Sequence, residues 1–203
     1  MPSPLPVYTL GHSTLSIEEF LELLRHYGIE RLVDVRTIPR SRHNPQFNKD
    51  TLSLFLRIRG IKYLHLRALG GLRRHVRDDA TNAGWRNASF RGFADHMRTP
   101  TFDVAIKRLI LVTQGRRTAI MCSEAVPWRC HRSLIGDALV VRGVEVIDIF
   151  SRSNSRPHVI TAMAKVAGTR ITYPAPEQQD PPQDTAPPPT GRSALRKTHE
   201  DSF

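Results

Sequence analysis

The residues best suited to chemistry lie in one short block of the chain, from Cys122 to Arg132. The block carries two thiols, a carboxylate, an imidazole and two guanidinium groups. A thiol just before a helix N-terminus is placed where backbone N–H groups and the helix dipole favour a thiolate or a bound anion. Cys122 is therefore a candidate reactive group, Glu124 a general base, His131 a proton carrier and Arg132 an anion clamp, with Cys130 in support. The alternative is that both cysteines only pack and Glu124 only pairs with an arginine.

The spacing within this block matches no common thiol or metal motif. Arg129 does not follow Cys122 at the distance found in the phosphatase loop. There is no C-x-x-C pair and no H-E-x-x-H, so the zinc signal is weak. A metal-dependent site made of Cys122, Cys130 and His131 is therefore the weaker alternative. Gly70-Gly71 lacks the rest of a dinucleotide fingerprint, and the sequence leaves the cofactor unknown.

Polar side chains also follow the other predicted strands. In open parallel sheets, ligands bind at the carboxyl ends of the strands, so these side chains are expected to meet the Cys122 block there. The candidates are His12 as an acid or base, Ser13, Arg36 and Ser41 as anion-binding groups, and Asp34 and Pro39 as supporting residues.

Alternating strands and helices must position these groups. Short apolar runs predict the strands, and Ser16 with Glu19 forms a capping box that opens the first helix. Such alternation predicts an α/β, three-layer Rossmann-like domain with a mostly parallel sheet of about five strands and helices on both faces. The predicted strands cover residues 7–10, 31–35, 61–64, 118–122 and 144–149, and the predicted helices begin near Ser16, Asn48 or Asp50, Phe90, Thr99 and Pro127, the last running to about Arg142. Residues 67–88 read as a long basic loop.

Composition divides the chain into two parts. Residues 1–173 are expected to form a single domain. Residues 174–203 contain seven prolines among polar residues, so they cannot bury a core and are predicted to be a disordered tail. The chain lacks an apolar run long enough for a membrane span, and its start does not resemble a secretory signal. With only two cysteines, we expect a cytoplasmic protein and no membrane partner. The oligomeric state is not indicated.

The charge favours an anionic partner. The formal net charge is +11, and because the tail has three basic and five acidic residues, residues 1–173 carry +13. A small anionic ligand is the first expectation and nucleic acid the second, the latter through the basic loop at residues 67–77. The skew toward arginine over lysine has another explanation, since a GC-rich genome encodes basic residues mainly as arginine.

Several segments together resemble the bacterial and archaeal "domain of unknown function 488" family. The similarity extends over roughly residues 7 to 165, and its most specific part is the C-x-E…P-x-x-C-H-R pattern at residues 122–132. The resemblance implies a Rossmann-like fold with a shared pocket, and it implies no activity. Asp148 departs from the family pattern, in which histidine is common. The matching segments are TLGHS, DVRTIPRS, FN at residues 47–48, YLHLRALGG, SFRGFADHM, AIMCSEAVPWRCHRSLIGDAL, GVEVIDI and PHVIT.

Overall fold

A six-stranded sheet forms the centre of the computed structural model, which describes residues 5–176. Five strands are parallel and the sixth runs antiparallel at one edge, in the order β3-β2-β4-β1-β5-β6. The predicted α/β fold with a mostly parallel sheet is therefore confirmed. The strands are β1 Val7–Gly11, β2 Arg31–Asp34, β3 Lys62–His65, β4 Thr118–Cys122, β5 Val146–Ile149 and β6 Ser155–Pro157.

Five α-helices surround the sheet, and their ends follow local sequence signals. The first begins with the predicted capping box, in which Ser16 and Glu19 bond each other's backbone N–H groups. It ends before Gly28, whose φ of +61° suits glycine. The fourth begins at Thr99, whose hydroxyl accepts from the Phe102 N–H. The helices are α1 Ile17–His26, α2 Lys49–Ile58, α3 Ala88–His96, α4 Pro100–Thr113 and α5 Arg132–Val140.

Two buried cores lie on opposite faces of the sheet because strand side chains alternate between the faces. One core joins the sheet to α3, α4 and α5 and includes Val7, Val33, Ile120, Phe93, Phe102 and Leu134. The other joins it to α1 and α2 and includes Tyr8, Leu32, Met121, Phe20 and Leu52. This is the predicted arrangement of helices on both faces.

The prediction of a helix that begins at Pro127 is wrong for the first residues of that helix. Pro127–Arg129 forms a single 3-10 turn, and Cys130 then adopts an extended conformation with φ −136° and ψ 141°. An extended residue cannot continue a helix, so α5 starts only at Arg132. The helix N-terminus therefore lies next to Cys130 rather than next to Cys122.

The segment after β5 contains elements that no pattern predicted. The β6 strand is followed by a two-stranded hairpin of β7 Lys165–Ala167 and β8 Arg170–Thr172. These strands have three residues each, too short for a readable alternation. The basic loop predicted at residues 67–88 contains 3-10 turns at Arg67–Leu69 and Ala80–Asn82.

Within residues 5–176, no helix combines the length and apolar character that a bilayer crossing requires. The predicted proline-rich tail lies outside the described residues from position 177 onward.

Candidate functional site

A cavity of about 570 Å³ opens at the carboxyl ends of β1, β2 and β4. This volume lies in the usual range of small-molecule sites. The structure brings eight of the predicted site residues to its walls, namely His12, Ser13, Arg36, Ser41, Cys122, Glu124, Cys130 and His131. The other three, Asp34, Pro39 and Arg132, do not line the cavity.

Cys122, Cys130 and His131 form a compact group in the wall of the cavity. The Nδ1 atom of His131 lies 3.9 Å from the Cys122 sulfur and 3.7 Å from the Cys130 sulfur. The Nε2 atom of His131 lies 3.0 Å from the carbonyl oxygen of Val35. A carbonyl oxygen can only accept, so Nε2 carries the proton and the lone pair of Nδ1 faces the sulfurs. Both cysteines are free thiols and both are buried.

The two thiols differ in acidity because their sulfur atoms interact with each other inside the protein. Interaction with Cys130 and burial raise the pKa of Cys122 to about 12. Interaction with Cys122 lowers the pKa of Cys130 to about 6 against the opposing effect of burial, and the nearby charge and N–H groups of Arg132 add to the lowering. The pair therefore favours a thiolate on Cys130, at the start of α5, with the proton retained by Cys122. The prediction that Cys122 occupies this environment is therefore wrong, because α5 starts beside Cys130.

Arg36 is held rigidly at the end of β2. Its Nε lies 2.9 Å from Asp34 Oδ1, and its Nη2 lies 2.6 Å from Asp34 Oδ2 and 2.7 Å from the carbonyl oxygen of Phe47. Its Nη1 donates to Nε2 of His12 across 3.2 Å. A guanidinium has five N–H groups, so among the described residues one Nη1–H has no protein acceptor. Arg36 also lines the cavity, where this N–H can serve an anion.

Asp34 orients Arg36 and has no free access to a ligand. The carboxylate is fully buried, and it also accepts the Tyr63 hydroxyl at 2.6 Å and the Arg36 backbone N–H at 3.0 Å. Burial, followed by the charge of Asp34, raises the pKa of Tyr63, which keeps this hydroxyl a donor.

His12 is a neutral acceptor for Arg36. Its ring stacks on Phe47 with centroids 4.1 Å apart, and its Nδ1 donates to the Ser13 carbonyl oxygen at 2.9 Å. Burial, followed by the positive charge of Arg36, lowers the pKa of His12 to about 4. At neutral pH this imidazole is therefore not a cationic acid, and because both ring nitrogens have partners it orients the guanidinium.

The turn after β1 is strained and tightly packed against the loop after β4. Ser13 has φ +47°, an unusual conformation for a residue other than glycine. Its N–H donates to the Ser123 carbonyl oxygen at 2.8 Å. A Cβ on Gly11 would lie 1.7 Å from the carbonyl oxygen of Glu124, so only glycine permits this approach. The close contact places the exposed Glu124 side chain at the cavity.

Ser41 and Pro39 belong to a loop that α2 holds in place. The Ser41 N–H donates to the Asn48 side-chain oxygen at 2.7 Å, and the Ser41 hydroxyl accepts the Asn44 N–H at 3.0 Å. The Pro39 carbonyl oxygen accepts the Lys49 N–H at 2.9 Å. Asn48 is the N-cap residue of α2, and its side chain bonds this loop instead of the helix.

Arg132 lies behind the cavity, not in it. Only 1% of the residue is exposed. Its Nη2 donates to the Glu124 carbonyl oxygen at 2.8 Å and its Nη1 to the Thr9 hydroxyl at 3.2 Å, while its Nε has no partner among the described residues. Arg132 therefore supports the loop after β4 from within the protein.

Behind Arg132 lies a buried polar network that anchors the last described segment. His158 contacts Asp148 at 2.9 Å and Asp137 at 3.0 Å. Asp148 accepts the Thr9 hydroxyl at 2.9 Å, and Asp137 accepts the Tyr173 hydroxyl at 2.8 Å. Asp148, the position that departs from the family pattern, thus belongs to this network and does not line the cavity.

Several residues that line the cavity were not among the predicted site residues, and three of them matter for its charge and shape. Arg40 and Arg129 are exposed and line the cavity, and both lie within segments already singled out for other residues. Gly71 also lines it, and a Cβ there would lie 2.4 Å from Nδ1 of His131. The adjacent glycines Gly70 and Gly71 are the sequence feature that could have predicted Gly71 as a cavity residue, since adjacent glycines permit close backbone approach.

Comparison with known proteins gives one match. The family described as "Domain of unknown function DUF488" matches residues 16–139. No curated protein matches the chain, and no solved structure matches it.

Proposed function

The chain belongs to the DUF488 family, and on the basis of its site we propose that it is an enzyme acting on a small anionic substrate, phosphorylated or nucleotide-like. The family description assigns no reaction, so the proposal depends on the cavity. The substrate would lie at the carboxyl ends of β1, β2 and β4, against the Cys122–Cys130–His131 group.

A single observation carries the proposal: three guanidinium groups line the same cavity as two thiols and an imidazole. Arg36, Arg40 and Arg129 supply the positive charge. Arginine is suited to this because its planar donors match carboxylate and phosphate oxygens in pairs. Arg36 is also preorganised, since its position is set before a ligand arrives, and this reduces the ordering cost of binding.

The reactive groups line the same cavity as this charge. The Cys122–Cys130–His131 group supplies sulfur and a ring lone pair, and Glu124 supplies an exposed carboxylate that can accept a proton. His12 is assigned to positioning Arg36, because its lowered pKa leaves it neutral.

Thermal unfolding of the full chain with a panel of inorganic phosphate, nucleotides and phosphorylated metabolites tests the proposal. A ligand that binds the folded state at about 100 times its Kd stabilises it by about 2.7 kcal/mol, which raises Tm. We expect at least one panel member to raise Tm at moderate salt, and the increase to disappear in the Arg40→Gln/Arg129→Gln double variant. Both side chains are exposed, so the variant should fold. The matched control is Arg116→Gln, which removes a partly exposed arginine near the opposite end of β4. If no panel member raises Tm, the small-anion proposal is wrong.

Nucleic-acid binding is a second candidate, favoured by an exposed aromatic group next to the cavity. Trp128 is 57% exposed and precedes Arg129. Its ring lies 5.8 Å from that of Phe150, and the Arg156 guanidinium lies 4.8 Å from the Phe150 centroid. Exposed aromatic rings with arginines can stack on the bases of single strands. Oligonucleotide affinity that falls steeply with salt would support this candidate, and absence of binding at low salt would exclude it.

A further inference from the structure

The donor atoms of Cys122, Cys130 and His131 lie close together in the wall of the cavity. The 3.9 Å separation joins His131 to Cys122 at the end of β4, and the 3.7 Å separation joins His131 to its chain neighbour Cys130. The two sulfurs and Nδ1 all lie within 4.8 Å of one another. Two thiols and an imidazole lone pair therefore converge on one point.

The separations match those around a tetrahedral zinc ion. With Zn–S near 2.3 Å and Zn–N near 2.0–2.1 Å, tetrahedral angles place a sulfur and a nitrogen about 3.6 Å apart and two sulfurs about 3.8 Å apart. The observed sulfur-to-nitrogen separations exceed this by only a few tenths of an ångström. Small side-chain rotations would bring all three atoms to ligand distance.

The orientation of His131 is also that of a metal ligand. Its Nε2–H bonds the Val35 carbonyl oxygen at 3.0 Å, which fixes the ring and leaves Nδ1 as the free donor. Metal-binding histidines commonly donate their other ring N–H to a backbone carbonyl in this way. The backbone of Gly71 lies against the same ring and further limits its movement.

We propose that Cys122, Cys130 and His131 bind a divalent metal ion of the zinc class, with the fourth coordination position open to the cavity. Two sulfurs and one nitrogen favour zinc over magnesium or calcium, which prefer oxygen. All three residues line the cavity, so the fourth ligand would be water or an oxygen of the bound anion. Three protein ligands with one open position is the pattern of catalytic zinc sites. The role of the open fourth position rests on the proposed function. Metal binding itself can be measured without any substrate.

The test uses the full chain, kept reduced. Metal content is measured after purification without chelators, and Co²⁺ is then titrated into the metal-free protein. We expect about one zinc per chain. We expect Co²⁺ to saturate at one equivalent, with thiolate-to-cobalt charge-transfer bands in the near ultraviolet and intense visible bands of tetrahedral cobalt.

The variants identify the ligands. Cys122→Ser and Cys130→Ser should each lose the charge-transfer bands or shift them. His131→Gln should weaken Co²⁺ binding by more than about 100-fold, because losing only an outer partner of a ligand costs about 10–100-fold. His26→Gln, on the exposed surface of α1, is the matched control and should bind normally. If the cysteine variants do not fold, the Co²⁺ titration of the unmodified chain still shows whether the protein binds the metal.

Two results would overturn the metal site. One is purified protein without stoichiometric metal whose reduced, folded form gives no charge-transfer bands with Co²⁺. The other is a Cys122–Cys130 disulfide in the isolated protein that, once reduced, still takes up no Co²⁺. The Arg40→Gln/Arg129→Gln variant separates the two proposals, since it should lose anion binding and keep the metal. Metal without any anion binding would leave this inference standing and remove the proposed function.

Discussion

His131 donates its Nε2–H to the carbonyl oxygen of Val35 across 3.0 Å, and this bond turns the Nδ1 lone pair toward the sulfurs of Cys122 and Cys130. Val35 directly follows β2, whereas His131 immediately precedes α5. The bond thus couples two distant segments at the edge of the sheet. It also makes the chemistry of the two cysteines depend on the backbone position at the end of β2.

Gly71→Ala should disrupt the site through His131. The added Cβ would lie 2.4 Å from Nδ1 of His131, so either the ring or the loop must move. Overpacking of this kind typically costs about 1–3 kcal/mol. We expect the free energy of unfolding to fall by this amount and Co²⁺ binding to weaken, as measured by denaturant unfolding and by the cobalt spectrum.

The matched control for that change is Gly60→Ala. A Cβ at Gly60 meets no atom within 4 Å, but φ is +78°, so the cost is backbone strain alone. This variant should lose about 1 kcal/mol and keep an unchanged cobalt spectrum. An unchanged spectrum in Gly71→Ala as well would show that the contact with His131 has no effect on the site.

Arg132→Met should loosen the loop after β4. The change removes the donor to the Glu124 carbonyl oxygen and to the Thr9 hydroxyl. A buried acceptor that loses its partner costs about 1–3 kcal/mol. We expect a loss of that size in unfolding free energy and faster amide exchange at residues 123–126. Arg129→Met, an exposed arginine in the same segment, should leave both nearly unchanged. Equal effects of the two variants would contradict the supporting role of Arg132.

Loss of the His158 proton should make the protein less stable at alkaline pH. Burial alone would lower its pKa, but the hydrogen bonds to Asp137 and Asp148 outweigh burial and raise the pKa to about 9. In the unfolded chain the value is about 6.5. The stabilisation is therefore complete below about pH 6.5, decreases as pH rises, and is lost above about pH 9, with a total on the order of 3 kcal/mol. Denaturant unfolding between pH 6 and pH 10 measures the decline.

The variant His158→Gln should flatten this alkaline decline and lower stability most at the acid end of the range. His43→Gln, at an exposed position, should keep the decline. A His158→Gln profile parallel to that of the unmodified chain would show that His158 is not charged in the folded protein.

Trp128→Ala should weaken nucleic-acid binding without changing stability, if the second candidate function is correct. Base stacking on an aromatic ring contributes about 1–3 kcal/mol per base. Because Trp128 is 57% exposed, its removal should change the unfolding free energy by no more than about 0.5 kcal/mol. Val104→Ala, an exposed apolar residue on α4, is the control. Fluorescence anisotropy with a single-stranded oligonucleotide measures the affinity, and equal affinity in all three proteins would exclude stacking on Trp128.

The sequence by itself determined the first five strands, most of the helices and the chemical composition of the site. The alternation of short apolar runs with amphipathic segments indicated an α/β fold, because strand and helix periods depend on neighbours within a few residues. The capping box at Ser16 and the Thr99-Pro100 start are equally local, and both were confirmed. Eight of the eleven predicted site residues line the cavity, because the carboxyl ends of parallel strands meet at one edge.

Only the tertiary structure decided what those side chains do. Strand order depends on pairings between residues far apart in the chain, which leave no periodic signal, and that order brings β1, β2 and β4 together. Cys122 and Cys130 meet because a 3-10 turn and one extended residue return the chain before α5, where helical spacing had been expected. The same turn buries Arg132 and leaves Arg129 at the cavity. The direction of a side chain is set by packing against distant segments, so residue type and spacing alone do not predict it.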